Sequence, residues 1–262
     1  MINFPLVLLT ILSASPQGYA SVSTQHMNSK ATVMLIDGKT TLRLEAPNAP
    51  ARLVPLAEGW TEVSMLRFSG DATRLAMIGR GGRPQAAIVD VPTGRTVVTY
   101  SISAAAISPD ARALIIEHAD KAQAPTARMS RFSLIPLNAP ENLLSPASTT
   151  LDIHTDGRTV TRQSDFVWVD PEVVTFVEFS GSEARVVALQ VDPSGKIQKR
   201  GEKPLPADLF TDPSILKDRA AFGRAISGIE ITRRPTSGLT LHVNLPPGPA
   251  VKTRTTELQI WQ

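Results

Sequence analysis

Asp152, His154 and Asp156 are residues whose types and spacing could do chemistry. They alternate along Leu151-Asp152-Ile153-His154-Thr155-Asp156-Gly157-Arg158. On a strand, alternate residues share a face, so two carboxylates and an imidazole would point the same way. Such a set offers oxygen and nitrogen ligands to a divalent metal, or an acid–base pair for hydrolysis. The same stretch has a plainer reading, because Asp156-Gly157 is a strong hairpin-turn pair. The three are therefore metal candidates on one reading and a hairpin tip on the other. The sequence holds no nucleophile elbow, His-Glu-x-x-His, phosphate loop or dinucleotide fingerprint. It has no cysteine, which excludes disulfides and thiolate chemistry. A Ser, His, Asp triad assembled from distant segments would leave no local mark. No cofactor is implied, and a non-enzyme is the leading expectation.

Two further stretches gather charge without a reactive pattern. Arg80 and Arg83 lie in Gly79-Arg80-Gly81-Gly82-Arg83-Pro84. His118, Asp120, Lys121 and Arg128 lie in residues 117–128. Arg80 and Arg83 could hold an anion, but no helix follows them and phosphate-loop spacing is absent. These six residues are the expected partner-binding set.

The elements that must position them come from a repeat. Phe68-Ser69-Gly70-Asp71-Ala72-Thr73-Arg74-Leu75-Ala76-Met77 aligns without a gap to Ile107-Ser108-Pro109-Asp110-Ala111-Arg112-Ala113-Leu114-Ile115-Ile116, 39 positions later. Each copy reads as strand, tight turn, strand, because short apolar runs bounded by Gly, Pro and Asp favour strands. After the first copy come Gln85 to Val91, a turn at Pro92-Thr93-Gly94-Arg95, and Thr96 to Tyr100. That makes four strands in about 40 residues, the length of one propeller blade. Val191-Asp192-Pro193-Ser194-Gly195-Lys196 echoes the second turn, and Val169-Asp170-Pro171 reads as a degenerate third copy of the first. The expected fold is all-β, a β-propeller-like array of antiparallel four-stranded blades, about five or six of them, with at most one short helix. That helix is expected from Asp212-Pro213-Ser214 to about Ala221. An antiparallel sandwich with two similar hairpins is the alternative.

These residues also carry a family resemblance. Phe68-Ser69-Gly70-Asp71 with Arg74-Leu75-Ala76, and Ile107-Ser108-Pro109-Asp110 with Leu114, resemble the FSPDG-x-x-LA pattern of WD-repeat and Tol-system-like β-propellers. Ile88-Val89-Asp90-Val91 with Thr93-Gly94-Arg95 resembles the strand and turn that follow in those blades. The resemblance covers roughly residues 60–136. Val89 stands where Trp is usual, Ala72 and Ala111 where Gly is usual, and no Gly-His pair opens a blade. The resemblance implies that the loops joining second and third strands, which hold the six charged residues, line a ligand-meeting face.

Residues 1–20 read as a signal peptide, with an apolar core at Phe4 to Leu12 and small residues at Gly18 and Ala20. Residues 21–30 are expected to be a flexible arm, and 31–262 a single β-propeller-like domain. A formal charge of +3 is too small a surplus to argue for nucleic acid. No transmembrane helix is expected after signal removal. Lys196, Lys199, Arg200 and Lys203 read as a basic loop. The leading expectation is an exported, periplasmic or secreted, non-catalytic interaction or scaffold protein of the bacterial cell envelope, whose partner is another envelope protein. The alternative is a periplasmic hydrolase or metal-dependent enzyme using Asp152, His154 and Asp156.

Overall fold

The computed structural model describes residues 22–47, 49–56, 60, 62–80, 84–119, 132–137, 150–151, 160–180, 183–192 and 196–262. Over these the chain is all-β, built of antiparallel sheets whose sequence neighbours are also neighbours in space, in the β-propeller-like manner expected. It packs as two compact units. The first takes residues 1–119 and 135–148, and the second 120–134 and 149–262.

In the first unit, β1 (Ser23–His26), β2 (Ser29–Ile36), β3 (Lys39–Glu45) and β4 (Arg52–Pro55) form one sheet in chain order. The Asp37-Gly38 turn is present, with both residues at positive φ. The reading of this stretch as an arm is corrected. Ser23 to His26 pair with Thr32 to Ser29, and Met27 turns the chain at φ 52°. Polar composition misled here, because small hydroxyl residues fit a strand as well as a loop: Thr24 and Ser29 are buried.

The next sheet is β5 (Glu62–Phe68), β6 (Arg74–Arg80), β7 (Gln85–Asp90) and the start of β8 (Arg95–Ile107). β8 does not end with that sheet. Residues up to Ser101 pair with β7, and Ile102 to Ile107 pair with β9 (Ala113–His118). One continuous strand is thus the last of one sheet and the first of the next. β10 (Phe132–Pro136) follows β9 in the sheet order.

The two repeat copies fold alike, atom for atom. The Ser69 N–H donates to Arg74 O and Ala72 N–H to Ser69 O, each at 2.9 Å. Ser108 N–H to Ala113 O and Ala111 N–H to Ser108 O repeat this at 2.9 Å. The Ser69 hydroxyl donates to Asp71 Oδ1 at 2.6 Å and accepts the Arg74 N–H at 2.9 Å. The Ser108 hydroxyl donates to Asp110 Oδ1 at 2.7 Å and accepts the Ala113 N–H at 3.0 Å. Ala72 and Ala111, the alanines at the usual glycine position, have φ of 57° and 56°. Burial pushes the Asp71 carboxyl up, but the bonds from Ser69 and Thr73 outweigh it and hold the group below its ordinary value. A second repeated bond closes each unit of pattern. Val91 N–H donates to Thr73 O, Leu137 N–H to Arg112 O and Val191 N–H to Glu172 O, at 3.0, 2.7 and 2.7 Å.

The apolar run from Leu75 to Ile78 needs burial on both sides, and it has it. Leu75 and Met77 pack with Ala31, Leu42, Leu44 and Phe68 on one face. Ala76 and Ile78 pack with Ile107, Leu114, Ile116 and Ile135 on the other. A strand buried on both faces reads as a continuous apolar run rather than an alternation.

In the second unit, Phe132 and Ser133 of β10 pair with Leu151 and Thr150 of β11 (Thr150–Leu151). β14 (Val173–Ser180) is paired along one edge by two short strands, β12 (Val160–Arg162) and β13 (Val167–Asp170), and along the other by β15 (Glu183–Val191). β16 (Ile197–Pro204) completes that sheet. The expected degenerate copy at Val169-Asp170-Pro171 joins the first and second strands, as the true copies do. Asp170 here accepts the Glu172 N–H at 2.8 Å. The basic stretch expected as a loop is corrected to strand for all but Lys196, since Lys199, Arg200 and Lys203 pair with β15.

A 3-10 helix at Pro213–Lys217 and α1 (Arg219–Ala225) follow. The expected short helix is therefore a 3-10 turn followed by the one α-helix among the described residues. Asp212 caps the first through the Ser214 N–H. Asp218 stays extended and caps the second through the Ala220 and Ala221 N–H groups. An aspartate that bonds forward to the backbone restarts a helix rather than continuing one. β17 (Glu230–Arg234), β18 (Leu239–Asn244) and β19 (Thr255–Trp261) form the last sheet. Phe179, Phe210, Phe222, Leu241 and Ile260 share one core. Gly201 lets β19 approach β16: a Cβ there would lie 2.4 Å from Ile260 Cγ2 and 2.6 Å from Trp261 Cε3.

Two stability outcomes follow from these contacts, both read from urea denaturation. Left-handed backbone costs an L-residue about 1–2 kcal/mol, partly offset by the entropy of glycine in the unfolded chain. Ala72 is only partly buried, so Ala72→Gly is expected to stabilise by about 0.5–1 kcal/mol. Gly201→Ala is expected to destabilise by about 1–3 kcal/mol through overpacking against Ile260 and Trp261.

Candidate functional site

The middle of β8 organises one rim of the first unit. Ile102 N–H donates to Pro84 O, and Ala119 N–H donates to Ser101 O, each at 3.1 Å. Pro84 ends the connection from β6 to β7, and Ala119 begins the connection from β9 to β10. Both are second-to-third-strand connections. One continuous strand thus bonds the last residue of the first connection and the first residue of the second at adjacent positions.

Arg80 is the last residue of β6, in register opposite Glu62. His118 is the last residue of β9, in register opposite Ile102. Its ring meets Tyr100 edge to face, with centroids 6.2 Å apart at 83°. Both rings are partly exposed. Burial pushes the Tyr100 phenol above its ordinary value. The remaining expected partner-binding residues, Arg83, Asp120, Lys121 and Arg128, lie outside the described residues. So do Asp152, His154 and Asp156. Among the described residues, no group of three or more His, Cys, Asp or Glu could hold a metal ion.

Tyr100 is the rim residue that sequence reading missed. The signal was present, since it is one of two tyrosines and ends the apolar run from Thr96. What hid it was pairing: a 13-residue strand that changes partners at its middle reads in sequence as two unrelated segments. Chemically the rim offers an aromatic edge, an imidazole that can donate or accept, and the backbone anchors of two charged connections at Pro84 and Ala119. That is a recognition surface with directional hydrogen bonding.

The same unit uses polar side chains to tie neighbouring turns together. The His26 Nε2 lies 3.0 Å from Gly70 O, in the first repeat turn. Arg67 Nη1 donates to Ser108 O at 3.0 Å and Pro109 O at 2.9 Å, in the second. Burial lowers the Arg67 pKa, and the Asp110 charge works against that. These contacts occupy the turn end of the sheets.

No protein-family model matches the sequence, and no curated protein does. Similar solved structures include a eukaryotic initiation factor, at 9% identity and a TM-score of 0.44, covering 88% of this chain and 52% of that one. A TolB-like protein from Agrobacterium tumefaciens is 12% identical with a TM-score of 0.32, covering 68% and 63%. The Cps50 (Swd1) β-propeller domain of Myceliophteria thermophila is 12% identical with a TM-score of 0.33, covering 66% and 55%. The chain thus spans about half the length of the first of these. Likeness at these levels carries no argument on function, and the β-propeller-like class rests on the sheets and turns described above.

Two tyrosines make the rim accessible to a direct measurement. In a Tyr19→Phe variant, ultraviolet titration reads Tyr100 alone. Its midpoint is expected above the ordinary tyrosine value of about 10, and His118→Ala, which opens the ring to water, is expected to bring it down.

Proposed function

We propose that the chain is an exported, non-catalytic interaction module of the bacterial cell envelope, which binds another envelope protein across the Tyr100–His118 rim. The carrying observation is that Pro84, at the end of one charged connection, and Ala119, at the start of the other, both bond to one strand, at Ile102 and Ser101. A recognition surface needs several contacts held at fixed spacing, and a continuous strand supplies that rigidity. The Tyr100–His118 aromatic pair is of the kind that anchors protein–protein contacts, and the sequence supplies charged residues on the two connections. The export part rests on residues 1–20, with their apolar core and small–x–small end. Among the described residues, no helix is long and apolar enough to cross a membrane.

Affinity capture from envelope extracts, with residues 21–262 as bait, tests the binding part. The wild-type chain is expected to retain a stoichiometric protein that a Tyr100→Ala, Arg80→Ala, Arg83→Ala, Arg128→Ala variant loses by tenfold or more. Equal retention by both would sink the rim assignment. Amino-terminal sequencing of the chain recovered from the periplasmic fraction tests export, with Ser21 expected at the new terminus.

A further inference from the structure

Two irregularities of the second unit meet at one place. The first strand of its large sheet is broken, since β12 and β13 pair opposite ends of β14 and residues 163–166 lie between them. Gln163 stays anchored there by its N–H, which donates to Val177 O at 2.8 Å. The chain also inserts a 3-10 helix and α1 between β16 and β17. A regular four-stranded blade requires neither feature. The break and the inserted helix face each other: a Cβ added at Gly223 of α1 would come 3.1 Å from Gln163 Oε1.

An open cleft of about 560 Å³ surrounds that contact, lined by Gln163, Arg219, Ala220, Gly223, Arg224 and Ser227. At about 100° per residue, positions 219, 223, 220 and 224 spread over an arc of about 140° of the helix surface, and both arginines line the opening. Both arginines are exposed. Arg162, Arg185, Arg200, Arg233 and Arg234 of the same unit each sit against a carboxylate. Among the described residues of that unit, Arg219, Arg224 and Arg254 have no such ion pair, and the first two line the cleft. Between them, Ala220 and Gly223 carry almost no side chain, which keeps the floor of the cleft open.

We propose that this cleft binds a phosphate-bearing small molecule, with Arg219 and Arg224 clamping the anion. Guanidinium groups match phosphate oxygens in paired, charge-assisted hydrogen bonds. The Ser227 hydroxyl adds a neutral donor at the rim of the cleft. The volume exceeds a bare phosphate and falls in the range of about 300–1,000 Å³ usual for small-molecule sites, so the rest of the ligand lies over Ala220 and Gly223. The phosphate comes either from a soluble compound or from a lipid headgroup.

The test uses the full chain and two probes. Inorganic phosphate and pyrophosphate are titrated calorimetrically against chloride at matched ionic strength. Co-sedimentation is measured with phosphatidylglycerol–phosphatidylcholine vesicles. The wild type is expected to bind one or both probes saturably. The Arg219→Gln, Arg224→Gln double variant is expected to lose at least tenfold in affinity, and Ala220→Leu, which fills the cleft while keeping the charges, to weaken binding as well. Unchanged urea midpoints in these variants separate loss of binding from loss of fold. Binding to the soluble anions without sedimentation assigns a soluble ligand. Arginine-dependent sedimentation assigns a headgroup. No binding to either probe by the wild type, or equal binding by the double variant, overturns the proposal.

Discussion

A buried serine hydroxyl in a tight turn is the contact on which the first unit depends. Ser69 and Ser108 are both fully buried. Each donates to an aspartate two residues on and accepts a backbone N–H from the returning strand. A buried hydroxyl or amide left unpaired would cost about 1–3 kcal/mol, so the turn closes only when both partners are in place. It thereby fixes where the second strand starts, and with it the register of every strand that follows. Since a slip of one residue exchanges the two faces of a strand, the turn also decides which apolar residues enter which core.

Register matters here because the sheets are buried on both sides. Leu75 and Met77 serve one core while Ala76 and Ile78 serve another. The small residue beside the large one is what permits close sheet approach. The same economy recurs in the second unit, where Gly201 makes room for Ile260 and Trp261. The charged groups of that unit follow the same logic. Glu178 has a side-chain exposure of only 3%, and Arg200 meets it at 2.9 Å from a strand two places away. A carboxylate at that depth requires such a partner.

The two candidate sites lie where the regularity of the sheets lapses. Where β8 switches from one sheet to the next, its adjacent residues Ser101 and Ile102 bond Ala119 and Pro84. The break between β12 and β13, together with the helices inserted before β17, opens a cleft lined by two arginines. Regular ladders satisfy their own backbone groups and bury their own side chains, leaving little to offer a partner. Interruptions expose both.

Local chemistry was legible in the sequence. The Ser–Asp turns, the Asp37-Gly38 hairpin, the strand-rich character and the role of Asp212 as a cap all follow from neighbours a few residues apart, and such interactions are encoded where they act. Ala72 and Ala111 stand in sequence only as departures from the family pattern, and their left-handed backbone is seen in the structure. Polar strands were harder to read. Ser23 to His26 and Lys199 to Lys203 carry few apolar residues, so only their pairing partners make them strands. The Tyr100–His118 pair, the grip of Arg67 on the second turn and the meeting of Gln163 with α1 were beyond reach. Tyr100 and His118 meet through the pairing of β8 with β9, and the other two join residues far apart in the chain, which only the packing of the tertiary structure brings together.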